Sequence, residues 1–258
     1  MRKTTKLTLF ILISFLLPMA ALFLQSRITN DTVNLLLFGV QAASPSIAAF
    51  AVLLLSKEVR PHFKVIFQKA HITAVIVVPV LIASITMLIS KSVYCIVFEK
   101  AFSLGNISVT KWLILLWALV AEELGWRGYL EPFLQEMKIK KCGVPCIVGI
   151  IWSLWHYHYF IQGRIDVPIL LFCVGCIIES YIYSILVSTT RNVLSAMIYH
   201  FSWNLMLNLF MISPSDNGGN IIPYTLVIIL ETVGIIIYGL YRRNKESSSD
   251  EIKTNIDR

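Results

Sequence analysis

Apolar and polar residues alternate along this chain in long blocks. Apolar stretches of about twenty residues, the length that crosses roughly 30 Å of hydrocarbon, are separated by short polar segments. The pattern predicts an all-α polytopic membrane bundle of about eight transmembrane helices, and we expect an integral, multi-pass protein of a bacterial cell membrane. The predicted spans are residues 7–25, 34–55, 72–97, 111–131, 145–162, 167–187, 192–211 and 221–241.

Lysine and arginine collect in alternate loops, and this sets the predicted orientation of the spans. Cytoplasmic loops of membrane proteins carry an excess of these residues, so we expect both termini on the cytoplasmic side. The loops around 27–31, 99–106, 162–166 and 213–220 contain fewer. The basic loops hold Arg2, Lys3, Lys6, Lys57, Arg60, Lys64, Lys69, Lys138, Lys140, Lys141, Arg191, Arg242, Arg243 and Lys245.

The composition indicates a membrane protein and argues against a nucleic-acid-binding or disulfide-rich protein. The chain is 57% hydrophobic and 14% charged, whereas soluble domains carry about 25% charged residues. The net charge of +7 has no basic stripe or nucleic-acid motif with it, so we expect no nucleic-acid partner. Five cysteines in mostly apolar surroundings argue against a disulfide framework. We predict one transmembrane bundle domain over 1–245, with a first span that is retained, and a disordered cytoplasmic tail over 246–258.

The stretch WALVAEELGWRGY, Trp117 to Tyr129, places charged side chains inside a predicted span. Ionised residues at this depth are costly and usually mark function. Glu123 and Arg127 are four residues apart with the acid first, which favours an ion pair on one helix face. Glu122 lies about 100° around the axis and has no partner on its own helix. We therefore expect Glu122 to meet a polar group from another span.

Two other predicted spans carry polar residues at a similar depth. Trp152 and His156 lie one helical turn apart, as do His200 and Asn204. Counting 1.5 Å per residue places His156, His200, Asn204 and Glu122 roughly 14–20 Å from the ends of their spans. We predict that Glu122, His156, His200 and Asn204 meet in one cavity. His158 and Asn208 are read as structural. Glu179 and Glu231 are further acids within predicted spans, and Glu179 is either part of the cavity lining or hydrogen-bonded within the bundle.

These residue types suit hydrolysis by an activated water. A carboxylate and an imidazole within reach of one water form a general acid/base pair. Side-chain donors from His200 and Asn204 could hold the oxyanion formed when that water attacks a peptide carbonyl. No serine or cysteine nucleophile accompanies a base. The constellation therefore favours attack by water on an amide.

The three motifs together resemble those of the CPBP (CAAX protease and bacteriocin-processing, or Abi) family of intramembrane proteases. They are E-E-x-x-x-R at 122–127, aromatic-x-x-x-His at 152–156 and H-x-x-x-N at 200–204, and the resemblance covers about residues 111–210. It implies a helical bundle with a cavity open toward the cytoplasm and endoproteolysis of a membrane-associated peptide or protein near the cytoplasmic face. If the family's roles apply to the matching residues of this sequence, Glu122 and His156 would activate the water. His200 and Asn204 would then donate hydrogen bonds to the oxyanion.

The resemblance assigns supporting roles as well, and it leaves several functions open. Glu123 and Arg127 would brace the site, and Trp152 stands where phenylalanine is commoner. CAAX-type processing, maturation of a peptide precursor and bacteriocin self-immunity are all compatible. We predict no cofactor; the alternative is a zinc protease with Glu122, His156 and His200 as ligands. A non-catalytic immunity or transport protein is the other alternative, since inward-facing charges also mark transport pathways.

Overall fold

The protein is a bundle of helices whose long members are mostly apolar. The computed structural model describes residues 1–137, 139–140 and 142–256, with side chains as far as Lys245. Within these residues the only β-type pairing is an isolated bridge between Phe67 and Asn192. The first helices are α1 (Lys3–Gln25), α2 (Asp31–Ser56), α3 (Val59–Ile66) and α4 (Val78–Val97), the last preceded by a π-helical turn, Thr73–Val77.

The second part of the chain contains both continuous and interrupted helices. Helix α5 (Val109–Ala121) is followed by the single turn α6 (Glu123–Gly125), a π-helical turn (Trp126–Leu130) and α7 (Glu131–Glu136). Helix α8 (Gly143–Trp155) is followed by the short α9 (Tyr157–Ile161). The remaining helices are α10 (Ile169–Thr190), α11 (Leu194–Leu209) and α12 (Ile222–Ile256), with a 3-10 turn at Pro214–Asn217.

Six helical segments are long and apolar enough to cross a membrane, and they confirm the predicted polytopic helical fold. Two of the predicted spans do not form helices of that length: 111–131 is interrupted after Ala121, and 192–211 becomes α11, which has 16 residues. The count of eight spans and the cytoplasmic termini therefore stay predictions. The six segments are Lys3–Gln25, Asp31–Ser56, Thr73–Val97, Gly143–Ile161, Ile169–Thr190 and Ile222–Lys245.

The boundaries of the predicted domain and tail also stay predictions. Helix α12 has a continuous backbone through Ile256. The predicted disordered tail, 246–258, lies outside the residues whose side chains are described.

Close approach between helices builds the interior. Gly149 of α8 lies against α10, where a β-carbon would come within 2.6 Å of Ile177 Cα. Small residues allow such contacts between membrane helices. The main apolar cluster then forms around large aromatic side chains, with Trp126 and Trp155 edge-to-face at 5.8 Å between ring centroids. The outer faces of the helices are apolar, as on α1, where Leu16 and Phe23 are 57% and 60% exposed.

Candidate active site

The helix that leads to the two adjacent glutamates is broken at the first of them, Glu122. Helix α5 ends at Ala121, and Glu122 has backbone angles of φ −110° and ψ −44° before the turn α6 begins. This turn lies directly on α2, because a β-carbon at Gly125 would come within 2.4 Å of the Pro45 carbonyl carbon. The break sends the two neighbouring carboxylates to different partners. The apolar pattern does not predict this break, because it indicates one continuous helix over 111–131.

Glu123 belongs to a fully buried charge cluster. Its Oε1 accepts a hydrogen bond from Arg127 Nη1 at 3.0 Å, so the ion pair expected from the four-residue spacing is present. His200 Nδ1 lies 2.7 Å from the same oxygen. Glu123 is 0% exposed and Arg127 is 1% exposed. A buried ion pair of this kind needs additional hydrogen bonds around it to offset the cost of leaving water.

The Arg127 guanidinium contacts three further side chains. Its Nη2 donates to Ser180 Oγ on α10 at 2.9 Å. Its carbon atom lies 3.8 Å from the ring centre of Tyr183 and 4.5 Å from that of Trp152. Cation–π contacts contribute most where the cation is removed from water. Arg127 therefore ties the broken segment to α8 and α10.

Glu122 turns away from this cluster and lines a cavity. The indole Nε1 of Trp152 donates to Glu122 Oε2 at 2.9 Å. Glu122 is 5% exposed. The partner expected from another span is thus Trp152 of α8. The resemblance gives Trp152 only a supporting role; the hydrogen-bonding capacity of its indole was the signal for this contact.

His156 stands at a second helix break, between α8 and α9. Its Nδ1 lies 2.8 Å from the Trp152 carbonyl oxygen. Because a carbonyl only accepts, Nδ1 must carry the proton, and Nε2 of the neutral ring is left as the proton acceptor. His158 is separate from the cavity: it is 0% exposed and its Nδ1 lies 2.9 Å from the Trp155 carbonyl oxygen.

His200 and Asn204 reach the same cavity from α11. The contact between His200 Nδ1 and Glu123 leaves His200 Nε2 as the second polar atom of the ring. This contact was missed by the sequence analysis, which assigned His200 to the oxyanion only. Asn208, one turn further along, also lines the cavity, and its Nδ2 donates to the Asn204 carbonyl oxygen at 2.7 Å.

The four predicted catalytic residues line one cavity of about 350 Å³, a size typical of small-ligand sites. Its wall includes Trp117 and Phe172, and its mouth includes Lys111, Arg164 and Asp166. Among the described residues the wall does not include Glu179 or Glu231. Glu231 accepts hydrogen bonds from Tyr199 and Trp203 at 2.9 and 3.1 Å.

The side chains of the described residues are not arranged as a metal site. Over the parts of the chain that the structure covers, no three His, Cys, Asp or Glu side chains are grouped so that they could hold an ion. The zinc alternative, Glu122 with His156 and His200, is not assembled as a ligand set in this arrangement. The prediction that no cofactor is needed stays a prediction.

Comparison with known proteins agrees with the motifs. The family model described as type II CAAX prenyl endopeptidase Rce1-like matches residues 104–206. A CAAX prenyl protease 2 from Methanococcus maripaludis is 29% identical over 151 residues, which is 55% of this chain and 54% of the relative. The chain thus matches about half the length of that curated relative. The matched region contains all three motif segments, which line one cavity of a membrane bundle, and the matches therefore support the resemblance to the CPBP family of intramembrane proteases.

Proposed function

We propose that the protein is an intramembrane endopeptidase that hydrolyses a peptide bond with a water molecule activated by Glu122 and His156. One observation carries the proposal: an acid, two imidazoles and an amide from three separate chain segments line a single cavity within an apolar bundle. Polar groups inside a membrane protein are costly and face such cavities when they are functional. The family match supports the same reaction class.

In the proposed reaction, Glu122 takes a proton from water as the water oxygen bonds to the peptide carbonyl carbon. His156, with Nδ1–H bound to the Trp152 carbonyl, presents Nε2 to the same water or to the leaving group. The carbon–nitrogen bond then breaks, and the proton passes to the departing amine. A positioned base of this type contributes about 10²–10⁴-fold to the rate.

His200 and Asn204 are the proposed oxyanion donors. Glu123 accepts from His200 Nδ1 and so fixes the ring, while Arg127 balances the charge of Glu123. A protonated His200 would donate from Nε2 to the developing negative oxygen, and the Asn204 side chain would donate beside it. Donors placed in advance where charge develops are the largest single contribution in many enzymes. Glu123 and Arg127 act through His200 and are positioning residues.

The substrate class we propose is a membrane-associated peptide or protein. The relative from Methanococcus maripaludis is named for prenylated CAAX substrates. For this chain, CAAX-type processing, precursor maturation and bacteriocin self-immunity all remain compatible with the site. In each case a cavity of about 350 Å³ would receive a short extended segment of the substrate.

The test is proteolysis by the purified protein in detergent, where both faces of the bundle are accessible. The probe is a tryptic peptide library from host cell proteins, and new termini are read by mass spectrometry. We expect Glu122→Gln to lower the rate by about 100-fold or more. The matched control is Glu136→Gln, which changes an exposed carboxylate paired with Lys3 and should leave cleavage unchanged.

Two outcomes would overturn this proposal. Full cleavage by a correctly folded Glu122→Gln protein would remove Glu122 as the base. Loss of cleavage after stringent chelation, with restoration by zinc, would replace the cofactor-free reaction with a metalloprotease. If the wild-type protein cleaves nothing while Glu122→Gln keeps full biological activity, a non-catalytic role is the one that remains.

A further inference from the structure

The basic loops of the chain come together at one end of the bundle. Lys3 Nζ bonds Glu136 Oε2 at 3.2 Å, which joins the start of α1 to the end of α7. Lys6 Nζ bonds Glu58 Oε2 at 2.6 Å, which joins α1 to the loop before α3. These contacts place the basic segments around 2–6 and 57–64 on the same side of the bundle as the end of α7.

The two remaining basic segments lie at this end as well. The backbone amide of Gln68 donates to the Arg191 carbonyl at 3.3 Å. The side chain of Asn192 donates to the Gln68 carbonyl at 2.7 Å. Thr189 Oγ1 and Tyr238 Oη are 3.3 Å apart, and Arg242 follows Tyr238 by about one helical turn. We call this side, defined by residues 57–72, 132–137, 139–140, 142 and 188–193, the basic end.

The opposite side, which we call the mouth end, is defined by loops 26–30, 98–108, 162–168 and 212–221. Its loops also contact one another. The amide of Gly105 donates to the Leu209 carbonyl at 2.8 Å. The amide of Ser215 donates to Asp166 Oδ2 at 2.6 Å. Basic residues are fewer here than at the basic end, and acids accompany them: the loops and flanking helix ends hold Arg27, Asp31, Glu99, Lys100, Lys111, Arg164, Asp166 and Asp216.

The catalytic cavity opens at the mouth end. Lys111, at the start of α5, lies in the cavity lining together with Arg164 and Asp166 of the 162–168 loop and Ser213 of the 212–221 loop. The lining also contains Phe172 and Tyr224, from the first turns of α10 and α12. The basic-end loops contribute none of the described lining residues. The cavity therefore has its entrance on the side of the bundle that is poor in positive charge.

An excess of Lys and Arg in short loops marks the cytoplasmic side of a membrane protein. We infer that the cavity opens to the extracytoplasmic face, and that its substrate is a polypeptide segment presented on that side of the membrane. This inference rests on the proposed endopeptidase function for its substrate class, but its orientation rests on charge and geometry alone. It reverses the direction implied by the family resemblance, a cavity and substrate at the cytoplasmic face.

The orientation also limits which classes of polypeptide can reach the cavity. A cytosolic protein with a prenylated C-terminal tail would reach the basic end and meet no cavity entrance there. A secreted or exported peptide, or an extracytoplasmic segment of a membrane protein, would reach the cavity directly. Maturation or inactivation of an exported peptide is thus favoured over CAAX-type processing.

The first test is labelling of single cysteines with a membrane-impermeant maleimide in intact bacterial cells. All five native cysteines, of which Cys142 near the basic end is the exposed one, are replaced by serine in the background. Ser215→Cys reports the mouth end, and Ala70→Cys is its matched control at the basic end; both native residues are exposed. We expect labelling of Ser215→Cys in intact cells, and labelling of Ala70→Cys only after permeabilisation.

The reverse labelling pattern would overturn the inference, and so would labelling of both positions in intact cells. Neither result depends on proteolysis. The second test adds the tryptic peptide library to right-side-out and to inverted membrane vesicles, with Glu122→Gln as the blank. Cleavage in right-side-out vesicles alone supports the inference. Cleavage in inverted vesicles alone overturns it while leaving the endopeptidase function intact.

Discussion

The uninterrupted helices of this molecule form a frame, whereas two interrupted segments carry the proposed water-activating residues. Helices α2, α10 and α12 run for 26, 22 and 35 residues without a break. The segments Val109–Glu136 and Gly143–Ile161 each contain a break, at Glu122 and at His156 respectively. Both proposed water-activating residues therefore stand at a helix break, and the long helices provide the frame around them.

This difference shows what a break makes possible inside a membrane bundle. A regular helix would point Glu122 and Glu123 about 100° apart along one axis. The break after Ala121 lets Glu122 reach Trp152 while Glu123 reaches His200. Non-helical backbone is tolerated at membrane depth only where protein or a water-filled cavity surrounds it. The interrupted segments meet this condition because α2 and α10 enclose them.

The most damaging way to break this arrangement is Arg127→Ala. The substitution leaves Glu123 as a buried charge with only His200 beside it, and removes the contacts to Ser180 and Tyr183. Removal of one partner of a buried pair costs about 3–5 kcal/mol. We expect a large drop in thermal unfolding temperature in detergent and a low folded yield.

Lys3→Ala is the matched control for that experiment. Lys3 also pairs with a glutamate, but its side chain is 56% exposed, and exposed pairs contribute only about 0–1 kcal/mol. Equal unfolding temperatures for the two variants would show that the buried pair does not hold the broken segment.

Gly125→Ala tests the contact between the broken segment and α2. A β-carbon would come within 2.4 Å of the Pro45 backbone, and because backbone cannot move aside cheaply we expect a loss of about 1–3 kcal/mol. Gly234→Ala in α12, where a β-carbon meets open space, should be neutral or stabilising by up to about 1 kcal/mol. Chemical unfolding of both variants measures the difference, and a neutral Gly125→Ala would contradict the close approach.

Trp152→Phe has the smallest expected effect on the fold and a specific effect on the site. It keeps an aromatic ring but removes the N–H that donates to Glu122. Hydrogen bonds to charged groups contribute about 1.5–3 kcal/mol, so we expect cleavage to be slower by about 10- to 150-fold with folding retained. The control is Trp112→Phe, an indole that is 40% exposed. Unchanged cleavage by Trp152→Phe would assign that indole to packing alone.

The fold class and the convergence of the four candidate residues on one cavity could be predicted from the sequence, because both depend on local signals. Long apolar runs identify membrane helices, and charged residues within them identify the cavity. The Glu123–Arg127 pair followed from helical spacing and is confirmed. The family model matches residues 104–206, which is close to the range of 111–210 covered by the three motifs.

The helix breaks could not be predicted because their causes lie in other parts of the chain. The contact of Gly125 with Pro45 joins residues eighty positions apart, and hydropathy in the 111–131 segment does not change at Glu122. The contact between His200 and Glu123 likewise depends on how α11 packs, which periodicity does not report. Cavity direction is a further case: motif resemblance and loop charge each implied a side, and only the three-dimensional position of Lys111 and Arg164 shows that they disagree.

The dimensions of the cavity set a condition on any chain that enters it. A space of about 350 Å³ excludes a folded domain, so a target must offer a stretch of backbone that is already unpaired. A neighbouring protein would be protected simply by keeping its secondary structure intact. Local unfolding of the target next to the lipid headgroups would then determine which polypeptides are cleaved and how fast. The identity of their side chains would matter less.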